Sequence, residues 1–468
     1  MQRSQAASSV TIRYNRLMDW INAPQTHEAI PVAHADRPLP ATLTVLYAPD
    51  GDRAGQSVVL GSKFELGRLV TDFGGQPFAD GEMSRLHATV RHIGDQITVE
   101  DGGSTNGTIV NGAKVRRQQL EPGDILQVGG TFFCFDRIDT KNLVGLAESE
   151  LVGVSAGFSE LAQALQSVAP RLTPVLISGE PGVGKRAVAR EITRVSRRET
   201  PPLVIHCSAG PTDKVEESLF GRALSAAMNP HELGGALKAT IDGTLVLVDV
   251  ERLSVHAQAR LAWTMEELSR SGDGLPPRMI ATTALSVASI EERVRSGVLR
   301  ADLFGMLRAW TVEIPALRHR RQDVPVLVKR FVHDFALSAG RQPSSMPVEP
   351  ELMWALIDYP WPRNVDELRS VVEAACVEAS AKERALALSR RLQKLIGRHT
   401  LAREQRPGHV AAPRSRSELL ATLQEHDYVI SRVAAHFGKH RQQIYRWMDR
   451  FGIDRGVSET SLKTEEKA

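Results

Sequence analysis

From Ala41 to Arg137 apolar and polar residues alternate in short runs: TLTVLYA, SVVLG, KFELGR, HATVRHI, QITVED, TIVNG, DILQVG and TFFCFDRI, broken by Gly, Asp and Asn. A period of two sends side chains to opposite faces of a strand, and turn residues at this spacing predict an all-β sandwich over 41–137. Past Leu151 the rhythm changes. The apolar runs VLISG, TLVLVDV and RMIATT suit buried strands, and helical stretches separate them, so 151–330 reads as a parallel α/β domain. Residues 331–380 read as a helical subdomain around the break YPWPRN, and 417–455 as a compact all-α segment. Residues 1–40 read as a leader or linker, 381–416 as a basic linker and 456–468 as a polar tail.

The length of 468 residues fits such a multidomain chain, at about 100–200 residues per domain. Hydrophobic residues at 42% and charged residues at 24% exclude wholesale disorder. Cys134, Cys207 and Cys376 lie far apart with no CxxC, which argues against a disulfide framework and against a structural metal site. No stretch approaches the roughly 18–20 apolar residues of a membrane span, and MQRSQAASSVTIRYNR lacks an apolar signal core; the expected location is the cytoplasm, with no membrane partner. The net charge of +3 says little, but residues 382–416 hold ten Lys/Arg against two Glu, enough for non-specific phosphate attraction or simply a solvated segment.

The β segment carries Gly67-Arg68 after a strand, SRLH from Ser84 to His87, STNGT from Ser104 to Thr108, VNG at Val110–Gly112 and PGD at Pro122–Asp124. In this order the set resembles the forkhead-associated (FHA) domain. A phosphothreonine carries about −1.5 to −2 charge and three strong acceptors, and reading it takes a guanidinium with hydroxyl or amide donors on rigid loops. The resemblance places Arg68 and Ser84 on the phosphate and Thr105 and Asn106 on the ligand threonine and backbone, with His87, Gly107 and Thr108 as braces. It implies a phosphothreonine-bearing protein partner and a Ser/Thr kinase upstream.

GEPGVGKR follows the strand-like VLIS and precedes a helical run. Gly179, Glu180, Pro181, Gly182, Val183, Gly184, Lys185 and Arg186 therefore form a phosphate loop, whose backbone N–H groups, helix N-terminus and lysine suit ATP. Together with EESLFG, LRADLFGML, EIPALRHRRQDVPVL and WPRNVDEL, it resembles the AAA+ domain of bacterial enhancer-binding proteins, activators of sigma-54 RNA polymerase. The resemblance also exposes departures. Arg186 replaces the family's usual Glu. The family's Asp-Glu pair falls on Val248 and Asp249, so a magnesium carboxylate is missing or shifted to Asp249. The family's Asn falls on Ala284. Of two arginines, Arg300 matches, a possible finger in a neighbouring subunit, and the second falls on Met306. A nucleotide-sensing Arg falls on Asp366. SAAMNP at 225–230 stands where the family has its sigma-54-contacting GAFTGA. A degenerate module that binds ATP, with magnesium optional, but hydrolyses it weakly and makes no sigma-54 contact is favoured over a working ATPase.

Residues 417–453 show apolar spacing for three helices with a break at Gly438, which suits a helix-turn-helix and resembles the Fis type that commonly ends enhancer-binding proteins. Lys439, His440, Arg441, Gln442, Gln443, Tyr445, Arg446 and Arg450 fall on the outer side of the third helix or in the turn before it, residue types that reach base edges and phosphates. The expectation is a DNA-binding regulator that senses a phosphothreonine partner, self-associates as a homo-oligomer and acts near RNA polymerase. Two rivals stand: an ATP-driven sigma-54 activator, and a phospho-dependent scaffold without base readout.

Overall fold

The computed structural model describes residues 39–50, 53–138, 149–196, 201–221, 234–271, 276–342, 346–382, 385–397, 413, 415–426, 428, 430–437 and 441–453. The chain divides into two compact units, one running to residue 387 without 358–360 and the other holding 358–360 and the remainder.

In the first unit, two antiparallel sheets form the expected sandwich. A six-stranded sheet comprises β1 (Ala41–Tyr47), β2 (Ser57–Val59), β6 (Thr108–Val110), β7 (Ala113–Val115), β9 (Asp124–Val128) and β10 (Thr131–Arg137), in the order β2-β1-β10-β9-β6-β7. The four-stranded sheet runs β3 (Lys63–Leu66), β4 (Ala88–Ile93), β5 (Gln96–Asp101), β8 (Arg117–Leu120). Alternate residues of the facing strands, among them Leu43, Val45, Val90, Val99, Phe133 and Phe135, fill the space between the sheets with Phe73 and Phe78. Registry follows from this one-sided demand, since a one-residue slip would turn each apolar set outward.

The other face of the six-stranded sheet is covered as well. Thr42, Thr44, Leu46, Ile125, Gln127, Phe132 and Cys134 alternate with the sandwich core and are all buried. They meet two helices of the following domain. Helix α8 (Asp323–Ser338) packs on β1, and helix α9 (Pro350–Asp358) sets Trp354 against Phe132, ring centres 5.3 Å apart. Trp354 Nε1 donates to Gln127 Oε1. The Tyr47 hydroxyl accepts from the Val348 N–H at 2.9 Å and donates to the Val348 carbonyl at 3.4 Å. Gln322 Nε2 donates to the Gly123 carbonyl at 3.3 Å.

The α/β domain is built on five parallel strands, β11 (Val175–Ser178), β12 (Leu203–His206), β13 (Thr244–Val248), β14 (Arg278–Thr283) and β15 (Thr311–Glu313), in the order β12-β13-β14-β11-β15. Helices α1 (Ala156–Val168) and α2 (Lys185–Val195) contribute to the apolar cluster on one face. The opposite face is packed by α3 (Thr212–Phe220), α4 (Gly235–Ala239), α5 (Val255–Ser271), α6 (Val287–Arg295) and α7 (Ala301–Leu307). Loops at the carboxyl ends of such strands form the crevice where ligands bind.

A lid follows, made of α8, α9 and α10 (Asn364–Lys382), with α8 against α10. Helix α8 starts at Asp323 and so crosses the 330/331 boundary read from the sequence. Its start is fixed by Asp323, which is fully buried and accepts from the N–H groups of Val154 (2.7 Å) and Ser155 (2.8 Å) and from the Ser155 hydroxyl (2.9 Å).

In the second unit, part of the segment read as a linker is helical. Helix α11 (Arg390–Gly397) buries Leu392 and Ile396, whose i,i+4 spacing makes an apolar stripe that the dense positive charge masks in the sequence. Three further helices follow: α12 (Arg416–Glu425), α13 (Ile430–Phe437) and α14 (Arg441–Arg450). Leu419, Leu423, Val433, Phe437, Ile444 and Trp447 share one core, as their spacing predicts, and the Phe437 and Trp447 rings meet edge-on at 5.2 Å.

Candidate functional site

Three loops of the sandwich converge. Gly67 follows β3, and a Cβ there would lie 2.1 Å from the Arg85 carbonyl, so only glycine lets these loops touch. The Arg68 N–H donates to the Ser84 carbonyl at 2.9 Å, and the Phe78 N–H to the Arg68 carbonyl at 3.0 Å. Both ends of the Arg68 peptide unit are thereby held. Its half-buried side chain has no hydrogen bond or ion pair among the described residues. Ser84 Oγ accepts from the Thr105 N–H at 3.3 Å, which leaves its own hydrogen available to donate. Asn106 Nδ2 donates to the Glu82 carbonyl at 2.9 Å. The structure thus brings Arg68, Ser84, Thr105 and Asn106 together at one end of the sandwich.

His87 braces them from beneath. It is fully buried, its Nδ1 accepts from the Ser84 N–H at 3.1 Å, and its Nε2 faces the Gly107 carbonyl at 3.1 Å. An acceptor at Nδ1 fixes the hydrogen on Nε2, so a neutral imidazole satisfies both loops. Asp101 is a support the motif reading missed. Its carboxylate accepts from Ser104 Oγ (2.6 Å), Thr108 Oγ1 (2.8 Å) and the N–H groups of Gly103 (3.0 Å) and Ser104 (3.1 Å), and so fixes the STNGT loop. An Asp followed within a few residues by Gly and Ser is the sequence signal of such a turn. His87→Ala removes both loop bonds and is expected to lower stability by about 1–3 kcal/mol. Urea unfolding checks this, and an unchanged midpoint contradicts the bracing role.

A second candidate site lies beyond β11. Gly182 has φ +78° and Gly184 φ +104°, left-handed conformations that curl the loop. A Cβ on Gly182 would also lie 2.2 Å from the Arg363 carbonyl. Lys185 opens α2 and turns back over the loop, donating to the carbonyls of Gly179 (2.6 Å) and Glu180 (3.0 Å). Burial draws its pKa down, while the carboxylates of Asp249, Glu251, Asp366 and Glu180 pull it back up. Arg186 is exposed on the first turn of α2.

A cavity of about 480 Å³ adjoins the loop, lined by Lys185, Asp249, Glu251, Glu216 and Ala284 among others. Asp249 follows β13 in a left-handed conformation (φ 58°) that turns it off the strand. Its N–H reaches Thr282 Oγ1 at 3.2 Å, and its Oδ2 accepts from Ser208 Oγ at 3.2 Å. Glu251, which the motif reading passed over, accepts from the Ala284 N–H at 3.0 Å, and its second oxygen is buried without a hydrogen bond. Cys207 also lines the cavity, but burial pushes its thiol up to about 12, which makes it a poor nucleophile.

The lid grips the same loop. The Val365 and Asp366 N–H groups donate to the Gly182 carbonyl at 2.9 and 3.3 Å. Buried Asn364 donates to Glu180 Oε2 (3.2 Å) and the Pro181 carbonyl (3.0 Å) and accepts from the Leu317 N–H (2.8 Å). Arg318 forms a two-point ion pair with Glu180 at 2.5 and 2.8 Å, which holds the Glu180 carboxyl below its usual range. Arg300 caps α7 outside the cavity lining, its guanidinium bound to Asp302 at 2.6 Å. Met306 packs against the core on that face. Residues 225–230, read as the altered sigma-54 loop, lie outside the described residues.

Of the DNA candidates, Lys439 and His440 also lie outside the described residues. Arg441, Gln442, Gln443 and Arg446 are positions of α14 whose side chains fall outside the description too. Arg450 is exposed, with its guanidinium 5.7 Å from the Phe451 ring. Tyr445 corrects the outward reading: it is half-buried against the helical core, since its ring finds apolar neighbours beside Ile444.

Among the described residues no helix is long and apolar enough to cross a membrane, and no group of three or more His, Cys, Asp or Glu is placed to hold a metal ion. Comparisons with known proteins agree with the architecture. The sigma-54 interaction domain matches residues 151–313, the AAA+ ATPase lid domain 318–405 and the FHA domain 65–129. The nitric oxide reductase transcription regulator NorR2 of Cupriavidus necator is 36% identical over 238 residues, 50% of this chain and 45% of that protein. The transcriptional regulatory protein XylR of Pseudomonas putida is 32% identical over 240 residues, 50% of this chain and 42% of that one. The crystal structure of NtrX from Brucella abortus in complex with ATP aligns at a TM-score of 0.45 and 26% identity over 65% of this chain and 70% of that chain. The chain spans about half the length of the curated relatives it matches. The chain thus joins a match to the FHA domain with matches to the sigma-54 interaction domain and an AAA+ lid, and the relatives that it resembles over about half its length are transcription regulators.

Proposed function

We propose that the chain is a DNA-binding transcription regulator that senses a phosphothreonine-bearing partner through its FHA domain and carries a nucleotide-binding AAA+ module with weak or absent hydrolysis. One observation carries the sensing: a half-buried Arg68 whose guanidinium has no partner among the described residues, its backbone bonded to that of Ser84 on braced loops. That is the donor set a dianionic phosphate needs.

The phosphate loop fits a nucleotide, with its left-handed glycines and Lys185 beside a cavity of nucleotide size. When bound, the nucleotide supplies a phosphoanhydride that water can cleave if a carboxylate and a metal ion are placed for it. Here the loop N–H groups and Lys185 would hold the phosphates, and Asp249 and Glu251 are the carboxylates that would hold magnesium. Val248 points no carboxylate, Ala284 no amide and Met306 no guanidinium toward the reaction, which supports slow turnover. A second reading, an active ATPase, draws on Glu251, which restores a second carboxylate to the cavity beside Asp249. Turnover typical of such ATPases, abolished by Lys185→Ala, would establish it.

The helix-turn-helix reading of α12 to α14 supports DNA binding, with self-association and RNA polymerase as the remaining partners. A phospho-dependent scaffold is the alternative should the helices bind random duplex equally well. Genome-wide occupancy with wild type and Arg68→Ala tests both end modules. Discrete sites that depend on Arg68 support the proposal; no discrete sites, or sites indifferent to Arg68, refute it.

A further inference from the structure

We infer that the nucleotide cavity selects a nucleoside diphosphate over the corresponding triphosphate, because Asp249 and Glu251 line it beside its one lysine, Lys185, and Asp366 stands on the lid against the same loop. The inference rests on nucleotide binding as proposed above and names the class of nucleotide. The loop's backbone N–H groups serve phosphates of either ligand equally. The two ligands differ by one terminal phosphate and its added negative charge, so the charges beyond the loop decide between them.

Those charges are mostly negative. Asp249 and Glu251 line the cavity with Lys185. Asp366 sits on the lid against the loop, its N–H on the Gly182 carbonyl at 3.3 Å and its Cβ 3.4 Å from where a Gly182 Cβ would stand. The nearby arginines are spent. Arg318 is paired with Glu180, and Arg320 with Asp323 and the Val183 carbonyl. Arg186 is exposed, and Arg252 lines the cavity together with Glu216 but is exposed, as Asp366 is, so solvent screens both. Lys185, with only the screened Arg252 beside it, neutralises about one outer phosphate, and a further one meets Asp249 and Glu251 on the strand side, with Asp366 on the lid.

The test titrates the full-length protein with ADP and with ATP by calorimetry, in EDTA and again with magnesium. In EDTA, ADP is expected to bind at least about tenfold tighter than ATP, the effect of one like-charge contact. Magnesium, which Asp249 and Glu251 would hold, is expected to narrow the ratio. Asp366→Asn is expected to lower the ATP-to-ADP ratio of dissociation constants severalfold, and Asp366→Arg to lower it further. Glu373→Gln, the same charge removed elsewhere on α10 at an exposed position, leaves the ratio unchanged. ATP binding as tightly as ADP in EDTA, or a ratio indifferent to Asp366, overturns the inference while nucleotide binding stands. If neither nucleotide binds at millimolar concentration, the nucleotide reading and the inference fall together.

Discussion

Arg68→Ala is expected to weaken binding of a phosphothreonine peptide by about 2–5 kcal/mol, a loss of thirtyfold or more, because it deletes one partner of a hydrogen-bonded charge pair. The backbone on both sides of Arg68 is pinned, to Ser84 and from Phe78, so the guanidinium is presented with little left to order on binding. Removing it leaves the phosphate with the Ser84 hydroxyl and neutral amides. Arg68→Lys keeps the charge but loses the planar fork, and is expected to fall between wild type and alanine. Calorimetric titration with phosphorylated and unphosphorylated forms of one peptide reads both effects. A change below about threefold for Arg68→Ala would place the ligand elsewhere.

Asp323→Ala is expected to destabilise the folded chain by about 3–5 kcal/mol, the cost of breaking a buried charged pair from one side. The side chain satisfies the Val154 and Ser155 N–H groups and the Ser155 hydroxyl, at the start of α1, from the first residue of α8. Arg320, itself buried, lies 3.6 Å from it. Alanine strands three donors and one guanidinium out of reach of water. Asp323→Asn keeps one acceptor oxygen but turns an NH₂ toward donors, so it is expected to recover part of the loss only. Denaturant midpoints for the three proteins check the order, and an alanine variant within 1 kcal/mol of wild type contradicts it.

The sandwich and the parallel sheet were legible because their signals are local: alternation of period two, buried runs, and glycines where the chain must turn. The phosphate loop was legible for the same reason, as VLIS and a helical run flank it. Glu251 was not, since its place in the cavity follows from the left-handed turn at Asp249, which no residue pattern announces. Asn364 stood inside a recognised motif, but its role depends on Glu180 and Leu317, far away in the chain. Tyr445 was misread because a polar tip on an aromatic body suits a solvent face and a core edge equally. Helix α11 was hidden by charge. The contact of Gln127 and Phe132 with Trp354 had no local sign at all, although the nearly unbroken apolar run TFFCF hints at a strand buried on both faces.

That contact bears on how the molecule comes apart. Domains joined by a tether alone lose structure independently, and a scan of heat capacity then shows a peak for each. Here Tyr47, Phe132 and Trp354 would all be laid open to water if the sandwich left the lid, so neither piece is at ease by itself. Residues 41–382 are therefore expected to melt as one cooperative body, and a chain severed between 138 and 149 to elute as a single particle with both fragments aboard.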